Sequence, residues 1–303
     1  MQLLDTVDPE AIRALHERGE FFWLDLDDPS DAKVDELGEL LGIADLAIAD
    51  TKEFGQRAKL DDYGERVLIV FYGAHEGELV EVHVHVSGDE VVTVRRAPCA
   101  HLGSVKEKVR AGAVHTEQEL VYRILDALAD SLRVHIDGIG DEVERLEQVA
   151  FIRPTPVERR RISELRSELF RLQQIVTPQR EMLARGGELI ERLPGLERDV
   201  ARHRFADVHD DLVVIGNEVD YLREVLAEAV NVLLNQMAGR LTIVATVFLP
   251  LTFATGFFGM NFGWMVRHID SAWTFFVLGV GSMLVTVIFA GLLLARAGYL
   301  ERR

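Results

Sequence analysis

Gly259-Met260-Asn261 follows directly on eighteen uncharged residues, Leu241 to Phe258, and carries the strongest chemical signal in the chain. A small, hard divalent cation takes an octahedron of oxygens at about 2.0–2.1 Å and gives up its waters reluctantly. Amide and backbone carbonyl oxygens contributed by several chains would accept hydrogen bonds from those waters. Such a ring binds the ion without the depth of a carboxylate cage, which would stop its passage. The alternative role for Asn261 is a helix C-cap. Followed back from Gly259 in helical steps, one face carries Gly256, Thr252, Leu249, Ala245, Leu241 and Asn235. Thr252 and Asn235 could form further oxygen rings, and Leu241 and Leu249 apolar constrictions that close by dewetting. Thr252 has its own alternative, a bond from its hydroxyl back to its helix near Pro250.

Other candidates are weaker. His83 and His85 lie two apart and share a strand face, but without a third ligand they are expected to be a half-exposed strand pair. Asp25, Asp27 and Asp28 could form a phosphotransfer or metal cluster, and are expected instead to be a solvated turn at a strand end. No phosphate-cradling glycine loop with a lysine and no zinc-protease helix motif occurs, so an enzyme is not expected. Cys99 is the single cysteine, which rules out an intramolecular disulfide or a thiolate metal cluster within one chain.

These residues need elements to position them. Residues 21 to 112 read as an α/β domain: Phe21 to Leu24 is apolar, Ser30 to Leu41 is helix-like, and Val67 to Tyr72, Leu79 to Val86 and Val91 to Val94 form a meander of three or four strands. From His115 to Arg185 the period becomes helical, with Leu120, Ile124, Leu128, Leu132 and Ile136 four apart, and Pro154 and Pro156 separate two antiparallel helices. Gly186-Gly187 and Pro194-Gly195 are expected to break the chain. Beyond them Val208, Leu212, Ile215, Val219, Leu222, Leu226, Ala229 and Leu233 alternate four and three apart, a heptad seam that wants a partner helix and argues for oligomerisation.

The seam runs into Leu241 to Phe258, and a second uncharged stretch of 24 residues follows, Ala272 to Ala295. Both are long enough to cross hydrocarbon as helices. One helix from Arg198 to Phe258 would be about 90 Å long, a stalk entering a membrane. Arg240 before the hairpin and Arg296, Arg302 and Arg303 after it, against Arg267 in the loop, put both ends inside. The first 240 residues hold 29 basic and 48 acidic side chains, a net charge of -19 that argues against a nucleic-acid partner and keeps this part soluble. Met1 to Glu20 lacks the apolar run of a secretory signal, so no cleavage is expected there. The fold class is therefore an α+β cytoplasmic domain, a long α-helical stalk and a C-terminal two-helix transmembrane hairpin. The expected segments are a cytoplasmic α/β domain (1–113), long antiparallel helices (114–196), the stalk (197–240), a pore-lining first span (241–258), an external loop (259–271), a second span (272–295) and a basic cytoplasmic tail (296–303).

With Gly259-Met260-Asn261 at the mouth of such a hairpin, the chain resembles the CorA family of Mg2+ channels, whose signature is Gly-Met-Asn at the outer end of the first of two transmembrane helices. Phe22-Trp23-Leu24-Asp25-Leu26, Gln56-Arg57-Ala58-Lys59-Leu60 and Tyr63-Gly64 look like the family's N-terminal domain, so the resemblance covers nearly the whole chain. Many members carry an acidic, proline-bearing segment after the signature. This chain has Gly263-Trp264-Met265-Val266-Arg267-His268-Ile269-Asp270, with Asp270 the one carboxylate of the loop, and the family includes a zinc-transporting, ZntB-like branch with altered loops. The resemblance implies a homopentamer in the cell membrane, five first helices around a central pore, second helices facing lipid, and a funnel-shaped cytoplasmic assembly. It implies transport of Mg2+, with Co2+ and Ni2+, gated by intracellular Mg2+ held between acidic domains by carboxylates the sequence does not identify, and no organic cofactor. The alternatives are a Zn2+ transporter, possible proton coupling included, or a non-conducting membrane-anchored sensor or scaffold.

Overall fold

A computed structural model describes residues 1–152, 154–190, 198–260, 263–268 and 271–296. They form two compact units, Met1–Val149 with Pro154–Leu226, and Ala150–Arg153 with Ala227–Arg303.

The first unit is built on a six-stranded sheet of order β1-β2-β6-β5-β4-β3. Its strands are β1 (Gln2–Leu4), β2 (Phe22–Asp27), β3 (Lys59–Asp62), β4 (Val67–His75), β5 (Glu78–Val86) and β6 (Glu90–Arg95). The expected meander is present as β3 to β6, all antiparallel. The local pattern does not reveal that β2 pairs parallel to β6, Phe22 opposite Glu90, and that the short edge strand β1 adds in parallel beyond it. Parallel pairing needs crossovers, which the intervening helices supply. Helices α1 (Pro9–Arg18), α2 (Asp31–Leu41) and α3 (Asp45–Lys52) pack Ile12, Leu15, Val34, Leu37, Ala47 and Ile48 against Phe22, Leu24, Val92 and Val94. Asp8 caps α1, its carboxylate accepting from the amides of Glu10 and Ala11, and Gly19 ends it in the left-handed region at φ 61°.

The opposite face is covered as well. After α4 (Ala100–Arg110), helix α5 (Glu117–Ile152) closes on β4 at Gly73, where an added Cβ would stand 2.6 Å from Ser131 Oγ and 2.8 Å from Leu128 Cδ2. Ser131 Oγ accepts from the Ala74 amide at 2.8 Å. A sheet covered on both sides buries its strands along their whole length, so β6 has no exposed residue.

Pro154 separates α5 from α6 (Pro156–Ile190) as expected, but α6 continues through Gly186-Gly187 instead of breaking there. Gly186 is needed small, since a Cβ would lie 2.9 Å from Leu60 Cδ1. Pro194 and Gly195 lie outside the described residues. Helix α7 (Arg198–Phe258) runs 61 residues without interruption, with Pro250 inside it. The heptad seam is buried from Val208 through Ala229, while Leu233 is half-buried. Its partners lie in the same chain: a Cβ on Gly216 would touch Val176 of α6, and one on Gly140 of α5 would touch Leu222. Polar bonds flank the seam, Gln173 Nε2 donating to Asp220 at 2.7 Å and Arg133 to Asp211. The seam is thus satisfied within one chain, and the expectation that it calls for a second copy is corrected.

In the second unit the end of α7 is followed by α8 (Gly263–His268), a short helix where an open loop was expected, then α9 (Ala272–Thr274), a π-helical stretch (Phe275–Val280) and α10 (Gly281–Arg296). In the π stretch the Gly281 amide reaches back five residues to the carbonyl of Phe276.

Candidate functional site

The most apolar eighteen-residue stretch of α7 has no buried residue, and that of Ala272–Arg296 is 11% buried. Both helices are long and apolar enough to cross a membrane. A core helix of this apolarity would be covered, so the surface left open is what needs explaining. Around α7 the exposure is graded. Ile243, Thr246, Val247, Pro250, Ala254 and Phe258 are half-buried, whereas Leu241 (71%), Ala245, Leu249 (77%), Thr252 and Gly256 are exposed on the opposite side. Among the described residues a Cβ on Gly256 would meet nothing within 4 Å, so none of them accounts for a glycine in mid-helix. Asn235 is exposed too, and it stands about 120° round the helix from Leu241 but only about 40° from Leu249, fourteen residues on.

Thr252 Oγ1 donates to the Phe248 carbonyl at 2.8 Å, and Thr255 to the Thr252 carbonyl at 3.0 Å. The back-bond uses the one hydroxyl proton and leaves the oxygen's lone pairs open as acceptors, which is what the waters of a hydrated cation require. The helix closes with Gly259 N donating to Thr255 O at 2.9 Å and Met260 N to Phe257 O at 3.3 Å. Gly259 holds the cap position, and a Cβ there would be 3.0 Å from the Thr255 carbonyl. Asn261 and Asp270 lie outside the described residues.

In the first unit three expected surface groups are buried. Asp25 is 1% exposed, because β2 is an inner strand covered on both faces. Its Oδ1 accepts from Thr93 Oγ1 at 2.6 Å and pairs with Arg95, and its Oδ2 meets Lys106 Nζ at 2.5 Å. Only Asp27 and Asp28, at the strand end, are exposed as expected. His83 and His85 are fully buried, not half-exposed. His83 Nε2 bonds Glu81 at 2.8 Å, and His85 Nε2 bonds Thr51 Oγ1 at 2.7 Å. Thr51 donates its proton to the Ala47 carbonyl at 2.6 Å, so His85 must donate from Nε2. Burial, and then the charges of Arg66 and His83, push His85 down to about 3, which keeps it neutral.

The Gln56–Leu60 and Tyr63-Gly64 strings also have structural roles. The Gly55 and Gln56 amides donate to the Glu81 carboxylate at 2.5 and 3.3 Å. Lys59 Nζ and Tyr63 Oη donate to Asp50 Oδ2 at 2.6 and 3.0 Å. The Lys59 bond is the main cause holding Asp50 below the usual carboxylate range.

One group went unmarked because its members are far apart in the sequence. His16, Asp89 and Glu90 offer donor atoms all within 4.8 Å of one another. The parallel register of β2 and β6 carries Glu90 to Phe22, and α1 brings His16, whose ring meets Phe22 edge-on at 5.5 Å. Glu117, 3% exposed at the start of α5, has no hydrogen-bond partner on either carboxylate oxygen. Burial, followed by Glu90 and Asp89, pushes its carboxyl up to about 8.

The family model described as CorA-like Mg2+ transporter protein matches residues 18–296. The cobalt/magnesium transport protein CorA of Thermotoga maritima is 28% identical over 277 residues, covering 84% of this chain and 78% of that one. The zinc transport protein ZntB of Pectobacterium atrosepticum is 26% identical over 255 residues, covering 80% and 77%. The solved CorA magnesium transporter of Methanocaldococcus jannaschii superposes with a TM-score of 0.64 at 21% identity, over 92% of this chain and 91% of that one. With a long helix ending in Gly259-Met260, a second membrane-length helix and a match from residue 18 to 296, the chain belongs to the CorA-like Mg2+ transporter family and is a divalent-cation transporter.

Proposed function

We propose that this transporter conducts Mg2+, with Co2+ and Ni2+, through a central pore formed by α7 helices of a homopentamer in the cell membrane. The observation that carries this reading is the exposed face Leu241, Ala245, Leu249, Thr252, Gly256 of α7, left uncovered by the described residues and leading to Gly259-Met260. A two-helix hairpin cannot enclose an ion path alone, so that face has to meet other copies. In the assembly Leu241 and Leu249 supply apolar constrictions, Thr252 an oxygen ring, and Gly259, Met260 and Asn261 the outer selective ring for a hydrated ion. Both termini are cytoplasmic in this reading, and Mg2+ bound by the acidic first unit favours the closed state through its differential affinity for it.

A second reading, Zn2+ transport, is supported by the ZntB relative and by an outer loop with Asp270 as its one carboxylate. Flux of Mg2+, Co2+, Ni2+ and Zn2+ into proteoliposomes, with and without a pH gradient, separates the two. Mg2+ flux that is independent of the gradient is expected, Zn2+ flux driven by it favours the second reading, and no flux of any ion leaves a membrane-anchored sensor. Asn261→Ala removes one acceptor per subunit, at about 0.5–1.5 kcal/mol for each hydrogen bond, and is expected to abolish Mg2+ flux with assembly intact. Parental flux in that variant refutes the outer ring.

A further inference from the structure

We infer that His16, Asp89 and Glu90, with Glu117 behind them, form a binding site for a divalent transition-metal ion of the Zn2+ or Mn2+ class inside a single subunit. The inference concerns the first unit alone and does not depend on which ion crosses the membrane. Three elements converge on the site: the last turn of α1, the turn between β5 and β6, and the first residue of β6. His16 Nε2 stands 3.6 Å from Glu90 Oε2. Two ligands sharing a tetrahedral ion at about 2.0–2.1 Å are about 3.4 Å apart, so this pair needs almost no adjustment. Glu90 is divided between two tasks: Oε1 takes the guanidinium of Arg66, and Oε2 faces His16.

The charge at the site favours a cation, since Asp89 and Glu90 bring two carboxylates against the one guanidinium of Arg66. A buried carboxylate with no donor on either oxygen is costly, and a cation held nearby lowers that cost. Glu117 is that carboxylate, and among the charges around it those of Glu90 and Asp89 act most strongly. His16 and Asp89 are exposed, so an ion can enter from solvent. One imidazole among carboxylates is the donor set of Zn2+ or Mn2+, while Mg2+ prefers oxygens throughout and retains its waters.

The test uses full-length protein in detergent, stripped with chelator and equilibrated with Zn2+ under excess Mg2+. The parent is expected to retain one Zn2+ per chain more than His16→Ala or Asp89→Asn, with a nitrogen and oxygen ligand shell at the zinc absorption edge. Glu117→Gln is expected to keep the stoichiometry and weaken this site by about 10–100-fold, as loss of a supporting group does. Parent and variants are compared at matched unfolding temperature without metal, so that a misfolded variant is not read as a loss of binding. Equal zinc content in parent and His16→Ala, or a zinc shell without nitrogen, overturns the inference.

Discussion

Asp25→Ala tests whether the first unit depends on a charge cluster inside its sheet. The carboxylate is 1% exposed and lies between Arg95 and Lys106, and Trp23 Nε1 donates at 3.0 Å to Thr93 Oγ1, which in turn donates to Asp25. Removing one member of a buried pair leaves the other desolvated and uncompensated, a loss of about 3–5 kcal/mol. Against a total stability of about 5–15 kcal/mol that is a large fraction. For a unit of this size each kcal/mol lowers Tm by about 2–4 °C, so a fall of about 6–20 °C is expected. The assay is thermal unfolding in detergent followed by tryptophan emission, with Trp23 inside the cluster as a local reporter. Salt should change the loss little, because buried charges are weakly screened. Asp25→Leu with Arg95→Met removes the Asp25–Arg95 pair together, while Lys106 keeps Asp5 at 2.8 Å, and should be less destabilised than Asp25→Ala. A fall below 2 °C, or a double variant as unstable as the single one, refutes the reasoning.

Three further outcomes are expected. Gly256→Leu meets no neighbour among the described residues, so unfolding of the first unit should be unchanged while proteoliposome flux and assembly are lost; parental flux would show that this face touches only lipid. His85, depressed to about 3 from an ordinary 6.5, contributes stability that is present above pH 6.5 and lost as pH falls toward 3, at up to about 1.4 kcal/mol per unit. His85→Gln should therefore flatten the acid limb of urea-unfolding stability by close to one proton, and identical slopes would contradict the neutral assignment. Gly73→Ala forces a Cβ against Ser131, Leu128 Cδ2 and, at 3.4 Å, the Leu128 backbone, so a stability to denaturant lowered by about 1–3 kcal/mol is expected, and no change would mean that α5 shifts freely.

What was legible in the sequence was what repeats locally. Leu120, Ile124, Leu128, Leu132 and Ile136 follow a helical step and are all buried in α5, and the seam of α7 is buried from Val208 through Ala229. The identity of the seam's partner was not legible, because a heptad pattern records that a face is covered and not by which chain. Alternation in β5 suggested a half-exposed strand; helices on both faces bury His83 and His85 instead. Asp25 read as solvated because its counter-charges, Arg95 and Lys106, arrive through parallel pairing and α4, contacts about 70 or more positions away. The His16, Asp89 and Glu90 group is non-local for the same reason. On α7 the exposed face was readable from residue types alone.

The π-helical stretch Phe275–Val280 bears on how this chain is compared with others. A π turn is an α-helix that has absorbed an extra residue, and such stretches arise by insertion without destroying the helix. Loss of one residue between Phe275 and Val280 would return the segment to regular α geometry. The same loss within Gly281–Arg296 would rotate everything beyond it by about 100° and misdirect the half-buried Ser282 and Thr286 and the buried Ala290 and Leu294. Length differences between relatives in this span therefore belong at Phe275–Val280, where an alignment gap corresponds to the opening or closing of one turn.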